Sequence, residues 1–145
     1  MVKKEVNEVE KQNHPTRGEH YIVELSGCNP EVIGNIEKVQ DILVEAAHRA
    51  NVEVWSVSFH RFPPNGVSGV VVISESHLSI HTWPEEKYAA IDIYTCGESA
   101  EPEKAVEYVI HAFEAEHAHI TELTRGLHDG DRIFYHSIVS WEESK

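Results

Sequence analysis

The chain has 145 residues, of which 41% are hydrophobic and 26% are charged, a composition typical of one globular domain. Twelve Lys and Arg against 25 Asp and Glu give a formal net charge of −13, which argues against nucleic acid and anionic membranes as partners, because phosphate groups are bound through Lys and Arg. No apolar run reaches the ~18 residues of a membrane helix, no secretion signal is evident, and two cysteines predict no disulfide framework, so a cytoplasmic location is expected.

The first 18 residues are charged and show no hydrophobic period, so we expect a flexible N-terminal extension ahead of a single domain. Ordered structure is expected to begin with a strand from His20 to Leu25. Asn29 and Pro30 then favour a helix start, because Asn caps helices and Pro fits the first helical position. Apolar residues at three- and four-residue steps from Val32 to Ala50 predict one amphipathic helix.

Three strands and a second helix are predicted next. The strands are expected over Val52–Phe62, Val67–Ile73 and Tyr88–Cys96, with the turn sequence Pro63-Pro64-Asn65-Gly66 between the first two. A helix is expected to begin at Pro102 and to bury a stripe formed by Val106, Val109, Ile110 and Phe113. Two closing strands are predicted at His119–Arg125 and Ile133–Val139.

The resulting order is β-α-β-β-β-α-β, with room for at least one further strand. Two helices and a mostly antiparallel sheet predict an α+β fold, a two-layer sandwich with both helices on one face of the sheet. The other face would carry polar and aromatic side chains. Their burial would require a partner or a ligand.

The segment from Ser74 to Glu85 has an unusual character, because serines and histidines alternate there with apolar residues. Ser76 is a candidate nucleophile, although a serine hydroxyl needs an activating base. Ser68 lies eight residues before Ser76, so the two side chains would share one face of a continuous strand. Cys96 ends the following strand and would approach them if the strands pair. A compact Ser/His/Cys group on the uncovered face is therefore expected.

The residues alone leave three interpretations open. In the first, these side chains are ordinary strand and turn residues. In the second, His77, His81 and Cys96 are zinc ligands, although the Glu of the H-E-x-x-H motif is missing. In the third, His81 activates Ser76 as a nucleophile, although the Gly-x-Ser-x-Gly elbow of α/β hydrolases is absent.

The segment VSGVVVISESHLSIHTWPE, followed by YAAIDIYTCG, resembles the prokaryotic S-adenosylmethionine decarboxylase proenzymes, which mature into pyruvoyl enzymes. The resemblance runs from about Glu19 to the second helix and includes the segment FHRF at 59–62. It implies self-cleavage between Glu75 and Ser76, which divides the domain at 19–145 into a β chain of residues 1–75 and an α chain of residues 76–145. Ser76 would become a pyruvoyl group that forms a Schiff base with the substrate, and no metal would be needed.

The resemblance also implies roles for three further residues. His81 would accept the proton in self-processing, with Ser68 assisting it. Cys96 would be the acid that returns a proton to the carbon from which carbon dioxide has left. In the family, two uncovered sheet faces meet across a two-fold axis, so the resemblance implies a homodimer whose sites draw residues from both protomers.

The substrate implied by the resemblance is S-adenosylmethionine, and the product would be the aminopropyl donor for spermidine synthesis. Phe62, followed by Trp83, is a candidate for stacking on the adenine, and Glu85 for accepting hydrogen bonds from the ribose or adenine. Relatives of the family decarboxylate arginine or ornithine, so these substrates form the alternative. A non-catalytic α+β ligand-binding module is a further alternative, and it predicts an uncleaved chain.

Overall fold

The computed structural model describes residues 15–127, which form one antiparallel sheet and three helices. The strands are β1 Gly18–Ser26, β2 Val54–Phe62, β3 Gly66–Ile73, β4 His77–Trp83, β5 Tyr88–Cys96 and β6 His117–Arg125. The helices are α1 Pro30–Ile33, α2 Ile36–Arg49 and α3 Pro102–Ala112, and a 3₁₀ turn spans Pro84–Glu86. Most of the predicted N-terminal extension and the predicted strand Ile133–Val139 lie outside the described residues.

The sheet has six strands in the order β2-β3-β4-β5-β1-β6, and every neighbouring pair is antiparallel. Helix α2 packs on β2, β3 and β4, while α3 packs on β1 and β5. Both long helices therefore cover the same face, and the predicted α+β sandwich is confirmed. None of these helices is long and apolar enough to cross a membrane.

The single helix predicted from Val32 to Ala50 is wrong, because the chain breaks it at Gly34 and Asn35. Asn35 has an extended backbone, with φ −103° and ψ 109°, and its side chain accepts a hydrogen bond of 3.1 Å from the Lys38 amide. An Asn side chain competes for backbone donors, so it favours a helix cap over a helix interior. The apolar residues keep their helical spacing across Gly34 and Asn35, so the spacing alone did not reveal the break between the two helices.

The core lies between the helices and the sheet. Side chains at alternate strand positions face the helices, so each central strand buries every second residue. Helix α2 buries Val39, Leu43, Ala46 and Ala47, and α3 buries Val106 and Val109 and is followed by the buried Phe113, while Ile110 is only partly buried. Each fully buried Val, Leu, Ile or Phe contributes about 1.5–3 kcal/mol to folding.

Strand β4 is absent from the predicted order, which assigns no strand to the segment from Ser74 to Glu85, and it lies near the middle of the sheet. Leu78, Ile80 and Thr82 point to the helix side and are fully buried. The Thr82 hydroxyl donates to the Ile33 carbonyl oxygen at 2.8 Å and accepts from the Val67 amide at 3.0 Å. This buried polar side chain is thus satisfied, and it joins β4 to β3 and to the end of α1.

The opposite side of the sheet, here called the open face, is covered by none of the described helices. It displays alternate residues of all six strands, and three of its apolar side chains are exposed by 36–43%: Ile22, Val72 and Leu123. The remaining positions are largely polar or aromatic.

Candidate active site

The peptide bond between Glu75 and Ser76 lies in the tight turn that joins β3 to β4. The turn consists of residues 74–76, and the Ile73 amide closes it by donating a 3.0 Å hydrogen bond to the Ser76 carbonyl oxygen. Ser68 and Ser76 therefore do not lie on one continuous strand, which was the condition for their side chains to share a face. Polar Ser74, Glu75 and Ser76 interrupt the apolar run and reverse the chain, which places Ser68 and Ser76 at opposite ends of the hairpin.

The Ser76 hydroxyl is buried and has no hydrogen-bond partner among the described residues. A buried polar atom without a partner costs about 1–3 kcal/mol, so such atoms are rare and require an explanation. The hydroxyl is next to the Glu75 carbonyl, because a peptide bond links the two residues. A serine that is free of other hydrogen bonds and adjacent to a carbonyl fits the precursor of a group made from the chain itself.

Cys96 lies at the same end of the sheet as this turn. Tyr94 of β5 pairs with His77, the residue after Ser76, and the two rings meet nearly edge to face at 5.8 Å between centroids. Cys96 follows on the same face of β5, opposite Gly18 of β1. The pairing of β4 with β5 therefore brings the thiol towards the Ser76 turn.

His77 is the imidazole next to the Glu75–Ser76 bond in the chain. Burial is the main cause that lowers the pKa of His77 below 6.5; His20 and Arg125 lower it further, whereas Asp92 opposes them. The ring is therefore neutral at pH 7 and has a nitrogen that can accept a proton. The sequence offers His77 as a possible zinc ligand, and its position directly after Ser76 also makes it a candidate proton acceptor.

His81 is hydrogen-bonded to Ser68, with 2.8 Å between the Ser68 Oγ and His81 Nδ1 atoms. The two residues face each other across β3 and β4. His81 lies four residues beyond His77, which corresponds to about 13 Å at about 3.3 Å per residue. The expected compact group therefore divides in two within the chain: Ser68 and His81 form one group, and Ser76 and Cys96 lie at the other end of the open face.

The same distance argues against the zinc interpretation of His77, His81 and Cys96. Two nitrogen ligands of one zinc ion lie no more than about 4 Å apart, because each Zn–N bond is about 2.0–2.1 Å long. Across residues 15–127, no three His, Cys, Asp or Glu side chains are grouped so that they could hold a metal ion.

An aromatic corner lies next to the Ser68–His81 pair. The ring centroids of Phe62 and Trp83 are 6.0 Å apart, and those of His81 and Trp83 are 6.3 Å apart. The Phe62 ring lies over Gly66, where a Cβ atom would be 2.2 Å from the ring, so this glycine makes room for it. Glu85 is exposed in the 3₁₀ turn that follows Trp83. The predicted substrate-binding residues thus lie at the His81 end of the open face.

Two cavities show where a ligand has room. A shallow pocket of about 260 Å³ lies over the Ser68–His81 pair and is lined also by Ser58 and His60. A larger cavity of about 890 Å³ is lined by Arg49 and Tyr108 of α2 and α3. The larger cavity belongs to the helix layer, on the other side of the sheet from the open face, so it does not serve the Ser76 turn.

A polar network crosses the middle of the open face. The Asp92 carboxylate is 2.8 Å from His20 Nε2 and accepts a 3.3 Å hydrogen bond from Ser79. Arg125 lies 3.4 Å from His20 Nδ1, and its guanidinium stacks 4.4 Å from the centroid of the Tyr94 ring. No motif in the sequence predicted this network. Its members come from β1, β4, β5 and β6, and only the strand register brings them together.

Comparison with known proteins agrees with this arrangement. The family model described as S-adenosylmethionine decarboxylase matches residues 19–126. The chain is 56% identical over 128 residues to the S-adenosylmethionine decarboxylase proenzyme of Pyrococcus horikoshii, which covers 88% of this chain and 92% of that protein. It is 54% identical over 110 residues to the proenzyme of the same name from Thermodesulfovibrio yellowstonii, covering 76% and 82% of the two chains.

The fold is also shared with a solved structure. The crystal structure of the adenosylmethionine decarboxylase from Aquifex aeolicus superposes with a TM-score of 0.72 and 31% sequence identity, over 81% of this chain and 97% of that one. The family model matches most of the described residues, and the chain is 56% identical to a relative of which the match covers 92%. The chain belongs to the S-adenosylmethionine decarboxylase family.

Proposed function

We propose that this protein is a self-processing, pyruvoyl-dependent decarboxylase of S-adenosylmethionine. The observation that carries the proposal is the unpartnered Ser76 hydroxyl in a tight turn beside the Glu75 carbonyl, in a chain whose relatives are named proenzymes. The product would be decarboxylated S-adenosylmethionine, the aminopropyl donor for spermidine synthesis.

Self-processing uses atoms that the turn already holds together. The Ser76 oxygen attacks the Glu75 carbonyl carbon, and its proton passes to the nitrogen, so that an ester replaces the amide. Loss of the Ser76 α-proton then expels the Glu75 carboxylate and leaves a carbon–carbon double bond in residue 76. Addition of water and loss of ammonia convert this residue into a pyruvoyl group. Hydrogen-bond donors aimed at the Glu75 carbonyl oxygen would favour the first step.

The proton acceptor for processing is His81, supported by Ser68, and we place this pair in the site of a second copy. Within one protomer, His81 lies about 13 Å along β4 from the turn, too far for proton transfer. If two open faces pack together about a two-fold axis that runs across the strands, the His81 end of one copy meets the Ser76 end of the other. The same packing would bury the exposed Ile22 and Val72.

Cys96 supplies the proton that completes the reaction. A pyruvoyl group provides a keto carbon that captures the substrate amine and an electron sink for the pair released with carbon dioxide. The Cys96 thiol then delivers its proton to the substrate carbon.

The aromatic corner is the proposed site for the nucleoside. The Phe62 and Trp83 rings offer faces for stacking on adenine and for contact with the sulfonium cation. Glu85 is exposed beside them and is available to accept hydrogen bonds from the ribose or adenine. In the packing described above, this corner would face the Ser76 end of the second copy, as the reaction requires.

Arginine or ornithine decarboxylation is the alternative that keeps the mechanism, and the names of the relatives do not favour it. The intact mass of the purified chain tests the processing, because two fragments divided before residue 76 are expected. Carbon dioxide release measured with S-adenosylmethionine, arginine and ornithine tests the substrate. An uncleaved chain without decarboxylase activity would favour a ligand-binding module instead.

A further inference from the structure

The Trp83 indole of the aromatic corner contacts three neighbouring rings. Tyr88 lies opposite Trp83 across β4 and β5, and the two ring centroids are 5.4 Å apart with 32° between the ring planes. Phe62 meets the indole nearly edge to face at 6.0 Å, and His81 lies 6.3 Å from it. Tyr88 makes the closest and most nearly parallel of these contacts, so it does most to set the plane of the indole.

A short connection holds Trp83 and Tyr88 opposite each other. Strand β4 ends at Trp83 and β5 begins at Tyr88, and only the 3₁₀ turn Pro84–Glu86 and Lys87 lie between them. The Lys87 amide donates a 3.0 Å hydrogen bond to the Pro84 carbonyl oxygen, which closes the turn. The closed turn therefore keeps the two rings in register on the open face.

The hydroxyl of Tyr88 is anchored on the next strand of the sheet. It donates a 2.8 Å hydrogen bond to Oε1 of Glu24 on β1, and the other carboxylate oxygen of Glu24 lies 3.7 Å from Nδ1 of His119 on β6. Burial, followed by this hydrogen bond, raises the pKa of Tyr88 to about 12, so the phenol keeps its proton and donates at neutral pH. The side chain is thus fixed at both ends, by the indole at its ring and by the carboxylate at its hydroxyl.

The anchor matters because there is open space on the far side of the Tyr88 ring. A pocket of about 290 Å³ lies towards β1 and β6, away from Trp83, and is lined by Tyr88, Glu24 and His117 among others. A tyrosine ring without the hydrogen bond to Glu24 has room to turn into this pocket. The bond therefore holds the ring against the indole.

We propose that Tyr88 is a positioning residue for Trp83: held by Glu24, its ring keeps the indole in the plane in which it stacks on the nucleoside. A side chain that is already ordered loses less rotamer freedom when a ligand binds, so the ligand binds more tightly. Tyr88 acts through Trp83 and not on the reacting atoms, so its effect is on KM and not on kcat. The inference rests on the proposed function for the ligand, whereas the ring contacts belong to the uncleaved chain.

The position of the indole is tested by the fluorescence of Trp83 itself. In the full-length chain, Trp55→Phe and Trp141→Phe leave Trp83 as the one tryptophan, and Ser76→Ala keeps the chain uncleaved. Acrylamide quenching and steady-state anisotropy then report how open the indole is to solvent and how freely it turns. Adding Tyr88→Leu should raise the quenching constant about twofold and lower the anisotropy, because the ring that packs on the indole is lost.

The consequence for binding is tested by kinetics in the otherwise wild-type chain. Tyr88→Leu should raise the KM for S-adenosylmethionine about fivefold and leave kcat and the yield of fragments unchanged, whereas Tyr88→Phe keeps the ring and should stay within about twofold. Glu24→Ala removes the acceptor of the hydroxyl and should match Tyr88→Phe in KM and in Trp83 anisotropy. Glu24→Gln retains an acceptor oxygen and should resemble the parent. The Glu24 pair keeps every ring, so it tests the inference even where Tyr88→Leu is less stable.

Tyr108→Leu is the matched control, because it removes a tyrosine ring on the other side of the sheet, where Arg49 stacks 4.3 Å from that ring. It should change neither the Trp83 fluorescence nor the KM. Unchanged Trp83 fluorescence or an unchanged KM in Tyr88→Leu, with circular dichroism and melting temperature matching the parent, would overturn the inference. If Tyr88→Leu changes the Trp83 fluorescence but the wild-type chain does not decarboxylate S-adenosylmethionine, the proposed function is refuted and the positioning of the indole is supported.

Discussion

Ser68 and His81 lie directly opposite each other on β3 and β4, joined by a 2.8 Å hydrogen bond, but the turn that contains Ser76 is at the far end of the same hairpin. A group that activates a hydroxyl must come within hydrogen-bond reach of it. One chain alone does not satisfy this requirement with His81. The proposed self-processing therefore requires His81 from a second copy of the chain.

This arrangement predicts complementation between two inactive variants. Ser76→Ala removes the nucleophile and His81→Ala removes the proton acceptor, so neither chain should cleave efficiently by itself. When the two are co-expressed, the His81→Ala chain should be cleaved, because its intact Ser76 receives His81 from the other chain. Intact-mass measurement of the mixture checks this. A His81→Ala chain that stays uncleaved in this mixture would show that His81 acts within its own protomer or not at all.

Replacement of the proposed nucleophile should abolish maturation. Ser76→Ala is expected to remain a single chain of 145 residues without decarboxylase activity. Ser74→Ala changes the first residue of the same turn and should still give fragments of residues 1–75 and 76–145, so it controls for disturbance of the turn. Rapid decarboxylation by uncleaved Ser76→Ala would contradict the mechanism.

The aromatic corner predicts a binding defect rather than a processing defect. Phe62→Ala should raise the KM for S-adenosylmethionine about tenfold or more, because stacking of a base on an aromatic ring contributes about 1–3 kcal/mol. Phe62→Tyr keeps the stacking surface and should stay near the wild-type value. Trp55 lies on the same strand with 64% of its surface exposed, so Trp55→Ala serves as the remote control in the same kinetic assay. An unchanged KM in Phe62→Ala would move the nucleoside site elsewhere.

His77 should make the fold sensitive to mild acid. Burial lowers its pKa in the folded chain, so between that pKa and 6.5 the unfolded chain binds more protons. Its contribution to stability is present above about pH 6.5 and is lost as the pH falls through this window. Urea denaturation of the Ser76→Ala chain at pH 7 and pH 5 measures the loss. The additional variant His77→Gln should lose less stability over this range, whereas His111→Gln at an exposed site should behave like its parent.

Thr82 should be important for stability although its side chain faces the helices, on the other side of the sheet from the proposed chemistry. Thr82→Val keeps the shape but leaves the Val67 amide and the Ile33 carbonyl without their buried partner. We expect the free energy of unfolding to fall by about 1–3 kcal/mol. Thr121→Val on the exposed surface of β6 should change it by less than about 0.5 kcal/mol. Denaturant titration of both variants provides the comparison, and equal stabilities would show that the buried groups find other partners.

The local patterns of the sequence determined much of the architecture. The alternation of the β5 sequence puts Ala89, Ile91 and Ile93 on one face of the strand, and in the structure all three are buried. The apolar periods indicated both long helices but not the break between α1 and α2, and the residue types around Ser76 and Cys96 left three interpretations open, among which the family resemblance selected the candidate chemistry. Strand alternation and helical periodicity depend on residues that are close together in the chain, so the sequence pattern is sufficient to predict them.

Only the tertiary structure decided how the candidate residues are grouped. The reversal at residues 74–76 separates Ser76 from His81, and the register of β5 with β1 and β4 places Tyr94 and Gly18 around Cys96. Strand register is set by contacts between segments that are distant in the chain, and a shift of one residue would turn every side chain to the other face. No spacing within the sequence carries that information, so residue types indicated the chemistry while strand pairing decided which groups can meet.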